Sequence, residues 1–201
     1  MPFQIFNEAA FWAIFPNGGT VSWDLDAGRQ NVALDPGDAV SGGNSPYRVN
    51  GGKIIVNERP TLPKVTYSIC SGNQINCNFV QGDPLLVTLD APSKAAPDSA
   101  PLVLKFENPV SAVGCYLGVV TGGGNVGAVI TSSMFVLLDG ADTWIPFSQN
   151  GHCGPPVTSS TPGAPFLGMR TQVGKIKSVS FDAASGTPFG QICVGNLLWA
   201  P

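Results

Sequence analysis

Apolar residues in this chain recur at every second position, in short runs that stop at glycine, proline or asparagine. In "TVSWDL" Val21 and Trp23 fall on one side, in "KVTYSI" Val65, Tyr67 and Ile69 do, and "LLVTL" and "LVLKF" behave alike. This alternation fits strands with one buried face and does not fit helices. Between the runs lie "DPGD" at 35–38, "SGGNSP" at 41–46 and "TGGGN" at 121–125, where glycine supplies positive φ and Asp or Asn tolerates it. "TGGGN" reads as a hairpin tip. The pattern predicts roughly ten to twelve strands with turn signals about every 8–12 residues, an antiparallel β-sandwich of jelly-roll type.

A chain of 201 residues can enclose one large core, and residues 1–201 are expected to form a single domain. Charged residues make up only 11% while 43% are hydrophobic, so the composition is neither disordered nor strongly solvated. The formal charge is −3, and the ten Lys and Arg are scattered singly. Without a basic stripe to displace counterions, nucleic acid is not an expected partner. No uncharged apolar run reaches the roughly 18–20 residues of a membrane-spanning helix, so membrane insertion is not expected.

The segment "FNEAAFWAIFPNGG" departs from period two and predicts one helix, about 7–15. Asn7 can cap it, Phe6 and Phe11 stand at staple positions, and Pro16 to Gly19 stop it. Phe11, Ile14 and Phe15 share a face, which is expected to form a lid over the sandwich core.

Residues 105–120, "KFENPVSAVGCYLGVV", read as the central hairpin. Pro109 lacks an amide hydrogen and belongs at an edge or bulge. Gly114 marks a place where another side chain crosses closely. Cys115 lies mid-strand, and three roles stay open: a bridge to Cys153, a bridge to Cys193, or packing as a small hydrophobe. Cys70 and Cys77 bracket "SGNQIN" and are expected to close it as a disulfide loop, which points to an oxidising, extracellular compartment. With five cysteines, one of Cys115, Cys153 and Cys193 stays unpaired in a monomer. A single histidine in the chain argues against a zinc site.

Chemistry-bearing residues are few. His152 neighbours Cys153 in "SQNGHCGPPVTSSTPGAP", 148–165, which reads as a long surface loop in which a Cys/His pair is not expected to form. No nucleophile-elbow, zinc-protease or phosphate-loop motif is present. Asp24 with Asp26 share a strand face; Asp139 with Asp142 in "DGAD", and Asp35 with Asp38, fit turn chemistry better than glycoside cleavage. Trp12, Trp23 and Trp199 fall in apolar patterns and are expected in cores, whereas Trp144 follows the "DGAD" turn and stands near a loop rim suited to a sugar ring.

The stretches "EAAFWAIF", "TVSWDLDAG", "FENPVSAVGCYL", "VLLDGADTWI", "PFLGMRTQVGKIKSVSF" and "ICVGNLLW", taken in order, resemble the secreted β-sandwich domains of bacterial proteins that carry a PEP-CTERM sorting tail. The resemblance implies an exported, surface- or matrix-associated protein. No sorting tail follows "LLWAP" in this chain, so that route to the surface is not expected. Gly195 stands where such domains often place aspartate. In jelly-roll modules, carboxylates of the first and last strands can share a structural calcium; here Asp24 or Asp26 with the carbonyl of Asn196 would be the remaining set, and no other cofactor is expected.

These features predict a non-catalytic, secreted protein of structural or adhesive type, self-associating as a subunit of a matrix, filament or shell. The alternative is a carbohydrate-binding module using rim aromatics, with Trp144, Asp139 and Asp142 as candidate ligand contacts. A glycan or a second copy is the expected partner, and an enzyme is not.

Overall fold

The computed structural model describes residues 2–5, 7–25, 33–34, 47–49, 54–56, 67–71, 79–80, 84–88, 102–120, 127–152, 154, 163–185 and 191–201. These form fifteen strands and one short helix. In chain order they are β1 (Pro2–Ile5), α1 (Glu8–Ile14), β2 (Gly19–Leu25), β3 (Ala33–Leu34), β4 (Tyr47–Val49), β5 (Ile54–Val56), β6 (Tyr67–Ser71) and β7 (Pro84–Thr88). Then follow β8 (Leu102–Val110), β9 (Ala112–Val120), β10 (Val129–Leu138), β11 (Trp144–His152), β12 (Phe166–Thr171), β13 (Ile176–Ser185), β14 (Gln191–Val194) and β15 (Leu197–Ala200).

The strands make two antiparallel sheets, as the period-two pattern predicts. One has five strands in the order β11-β10-β13-β8-β5; the other has ten. In the larger sheet β9 is the spine. One edge of β9 pairs with β12, which in turn carries β1. The other edge pairs with β14 along Leu117–Val120 and with β15 along Ala112–Gly114. Beyond that edge the sheet forks: β14 continues into β7, β6 and β3, and β15 into β2 and β4.

Alternation along β9 builds three layers. Val113, Cys115, Leu117 and Val119 point inward and meet Leu104, Met134, Val136, Val179 and Phe181 of the smaller sheet in the main core. The even positions of β9 point the other way. There Ala112 joins Ile5, Phe11, Phe166, Leu198 and Ala200 in a second cluster, and Phe79, Leu85, Val87, Ala164 and Cys193 form a third. Tyr116 packs against both outer clusters.

Three expectations are corrected here. The stretch 105–120 is not a hairpin: β8 belongs to the five-stranded sheet and β9 to the ten-stranded one, with Ser111 alone between them. Ser111 turns the corner because its amide donates to Ala200 O at 2.7 Å and its carbonyl accepts from Thr171 N at 2.8 Å. "TGGGN" at 121–125 lies outside the described residues; the strands before and after it, β9 and β10, sit in different sheets. The helix does not cover the core between the sheets. Its Phe11 is fully buried on the outer face of the larger sheet, and Ile14 is 41% exposed instead of sharing that face. Finally, residues 148–152 are strand, not loop, since they pair with Ser133 through Val129 of β10.

Other readings hold locally. Asn7 caps α1 by accepting from Ala10 N at 2.7 Å. Pro109 sits in a bulge, where β8 advances from Lys105 to Val110 while β13 moves only from Ser178 to Ile176. A Cβ at Gly114 would come within 2.7 Å of the Phe166 ring and 3.2 Å of Phe11, so a crossing ring does require glycine there. Of the three roles left open for Cys115, the structure shows packing: it is a free thiol in the main core.

Candidate functional site

The outer face of the β10–β11 ribbon gathers the side chains best suited to hold a ligand. Met134, Val136, Ile145 and Phe147 turn into the core, so the alternate residues of both strands must face outward. Register then sets five cross-strand rows, from the turn onward: Leu137 with Trp144, Phe135 with Pro146, Ser133 with Ser148, Thr131 with Asn150, and Val129 with His152. At about 6.8 Å per two residues the rows span roughly 27 Å.

The face divides chemically along its length. Its turn end is apolar, with Trp144, Phe135 and Leu137 half-buried and Pro146 exposed. Its middle is a ladder of neutral polar groups: the Ser133 and Ser148 hydroxyls are 2.8 Å apart, and Thr131 Oγ1 donates to Asn150 Oδ1 at 2.9 Å. At the far end His152 is exposed, with Nδ1 3.4 Å from the Gly127 carbonyl oxygen. Toward the sheet centre the apolar half closes, for Ser178 and Ser180 of β13 are buried, whereas Asp182 and Ala184, opposite Ser133 and Thr131, are half-buried and exposed. No Lys, Arg, Asp or Glu projects from these ten positions.

Trp144 therefore stands on a sheet face just past the turn. Asp139 and Asp142 lie in that turn and are exposed. Gly140, at φ 74°, makes the turn possible, and Asp139 N donates to Lys175 O at 2.7 Å, tying it to the β12–β13 connection. The two carboxylates flank the apolar end and, among the described residues, form no cluster with a third acidic or imidazole group. Among the described residues no three of His, Cys, Asp and Glu lie close enough to hold a metal ion. Asn196 is exposed between β14 and β15, whereas the Asp24 side chain, Asp26, Asp35 and Asp38 lie outside the described residues. So do the Cys70 side chain, Cys77 and Cys153, and with them the expected disulfide loop.

The structure also brings together groups that the sequence did not suggest. Lys175 Nζ donates to Ser111 Oγ at 2.5 Å, a serine–lysine contact at the sheet-to-sheet corner. A lysine general base needs a dry pocket, and Lys175 is exposed, so the contact fits a corner brace. On the opposite face of the molecule Glu8 accepts from Trp12 Nε1 at 3.1 Å and also holds the Tyr116 hydroxyl. Burial, reinforced by the Glu8 carboxylate, pushes the Tyr116 phenol up to about 12. Trp23 is fully buried, as its apolar pattern predicts, and Trp199 is packed against the core.

Sequence reasoning found Trp144 but missed Leu137, Phe135 and the hydroxyl–amide ladder. The signal was present in "VITSSMFVLL" as uncharged residues at every outward position. Its partner strand is harder to read, because the second half of β11, Ser148–His152, has the composition of a loop.

No protein-family model matches the chain, and no curated protein matches it. A solved structure described as "Structural basis for the promiscuous specificity of the carbohydrate-binding modules from the beta-sandwich super family" is similar at 10% identity, covering 100% of this chain and 98% of that one, with a TM-score of 0.19. A likeness of that size says nothing about what this chain binds.

Proposed function

We propose that the chain is a non-catalytic, exported adhesive domain that holds neutral glycans on the outer face of the β10–β11 ribbon. The observation behind this reading is the row of Trp144 against Leu137, continued by Phe135 and Pro146 and then by the Ser133–Ser148 and Thr131–Asn150 pairs. A sugar ring offers an apolar C–H face and a rim of hydroxyls. The indole supplies a flat apolar surface, and adjoining hydroxyls and amides exchange hydrogen bonds with the rim. The absence of formal charge on the ten positions disfavours acidic polymers held by ion pairs. The resemblance of the sequence to exported PEP-CTERM-type sandwich domains supports a site of action at a cell surface or in a matrix. Affinity electrophoresis through gels containing neutral polysaccharides tests the reading: wild-type protein is retarded, and Trp144→Ala migrates as in an empty gel. Retardation untouched by Trp144→Ala, or turnover of the polysaccharide, contradicts it.

A second reading, a subunit that packs against copies of itself, is favoured by the low charge of the chain. It is compatible with the first.

A further inference from the structure

We propose that the ligand over the apolar half of the β10–β11 face is a single, unbranched chain of neutral sugars laid along the strands. This rests on the glycan reading above and adds the shape of the polymer. Exposure falls in a step across the five-stranded sheet. On its outer face one row runs Pro146, Phe135, Ser180 and Val103, through β11, β10, β13 and β8. Leu104 and Phe106 turn into the core, so Val103 faces outward. Along this row Pro146 is exposed and Phe135 half-buried, whereas Ser180 is 0% and Val103 2% exposed. Two neighbouring outward side chains lose their contact with solvent where other atoms lie over them. The sheet face is therefore covered from β13 onward and open over β10 and β11.

The row of Trp144 and Leu137 follows the same course, for Ser178 beside Leu137 is buried and the long side chain of Lys105 stands in register beyond it. In the next two rows the step is gone. Asp182 and Ala184, in register with Ser133 and Thr131, are half-buried and exposed. The apolar half is thus a ledge bounded on the β13 side, and the polar half is open there.

That shape decides what fits. Two strands about 4.8 Å apart make a floor roughly 10 Å wide, the breadth of one chain of sugar rings and not of two side by side. A ring lying on Trp144 carries its substituents at its rim. A branch sugar on the β13 side of that ring meets the step and lifts the ring from the indole, which forfeits the contact that holds it. Over the Ser133–Ser148 and Thr131–Asn150 rows a branch has room on that side. The step thus selects by exclusion: it adds nothing to the hold on an unbranched chain, and it rejects a chain branched at every sugar.

Affinity electrophoresis with two matched pairs of neutral polysaccharide tests this: mannans with sparse or dense galactose branches, and β-glucans that are unbranched or carry xylose on most backbone sugars. The expected result is retardation of the wild-type chain by the sparse or unbranched member of at least one pair, weaker by at least about tenfold for its dense partner, and abolished by Trp144→Ala. Retardation by the dense member equal to or stronger than that by its partner, and abolished by Trp144→Ala, overturns the unbranched-chain inference and leaves the glycan reading standing. Retardation that survives Trp144→Ala, or no retardation by any of the four, overturns both.

Discussion

The indole nitrogen of Trp23 donates to the carbonyl oxygen of Gly195 at 2.7 Å, a buried bond between residues 172 positions apart. It spans the fork in the larger sheet: Trp23 belongs to the β15–β2 branch, and Gly195 links β14 to β15, with its amide donating to Tyr116 O at 2.9 Å. A Cβ at Gly195 would come within 2.9 Å of the Phe79 ring, so the position that a calcium-site comparison would fill with aspartate is here filled by packing. Trp23→Phe removes the donor, strands a buried carbonyl and leaves a void. The expected loss is about 2–4 kcal/mol, read as a lower midpoint in urea unfolding.

Gly114→Ala tests the second cluster. The new methyl group would overlap Phe166 at 2.7 Å and press Phe11 at 3.2 Å, and overpacking of this kind costs about 1–3 kcal/mol. Phe166→Leu in the same chain should recover part of the loss, because the obstructing atom is the far end of that ring. Thermal melts of the two single variants and the double variant give the coupling directly.

Cys115 is fully buried, and desolvation pushes its thiol well above the ordinary cysteine range. A thiolate is the reactive form, so Cys115 should resist a thiol reagent in the native chain. Peptide mapping after brief alkylation should show Cys115 unmodified below the urea transition and modified above it. Modification in native buffer would mean that the main core opens at β9.

Tyr116 gives a pH dependence whose sign is fixed. Its pKa rises from the ordinary phenol value to about 12 in the folded chain, from burial first and from the Glu8 carboxylate second. The folded state therefore keeps a proton that the unfolded state gives up. The associated stability is fully present below pH 10 and disappears as pH climbs through 12. Its size is on the order of 1 kcal/mol once partial exposure is allowed for. Urea midpoints at about pH 9 and about pH 11.5 should fall further apart in wild type than in Tyr116→Phe, where this linkage is removed.

What could be read in advance was local. Asn7 capping α1, Val21 and Trp23 turning to one side, and Gly114 yielding to a ring each depend on neighbours or on a two-residue period. What escaped depends on partners distant in sequence. Ser111 turns the chain from one sheet to the other without glycine or proline, its corner held by Ala200 and Thr171. "SQNGH" has a turn-like composition yet is strand, because Ser133 and Thr131 across the ribbon bind Ser148 and Asn150. The face carrying Trp144 was therefore visible as one aromatic, and only pairing revealed the surface around it.

The most direct test of the account is amide chemical-shift mapping during titration with a soluble neutral oligosaccharide. The account predicts shifts concentrated at Thr131, Ser133, Phe135, Leu137, Trp144, Ser148 and Asn150, with α1 and β1 unmoved, and their loss in Trp144→Ala. Shifts clustered on the α1 face, or product appearing in the tube, would contradict it.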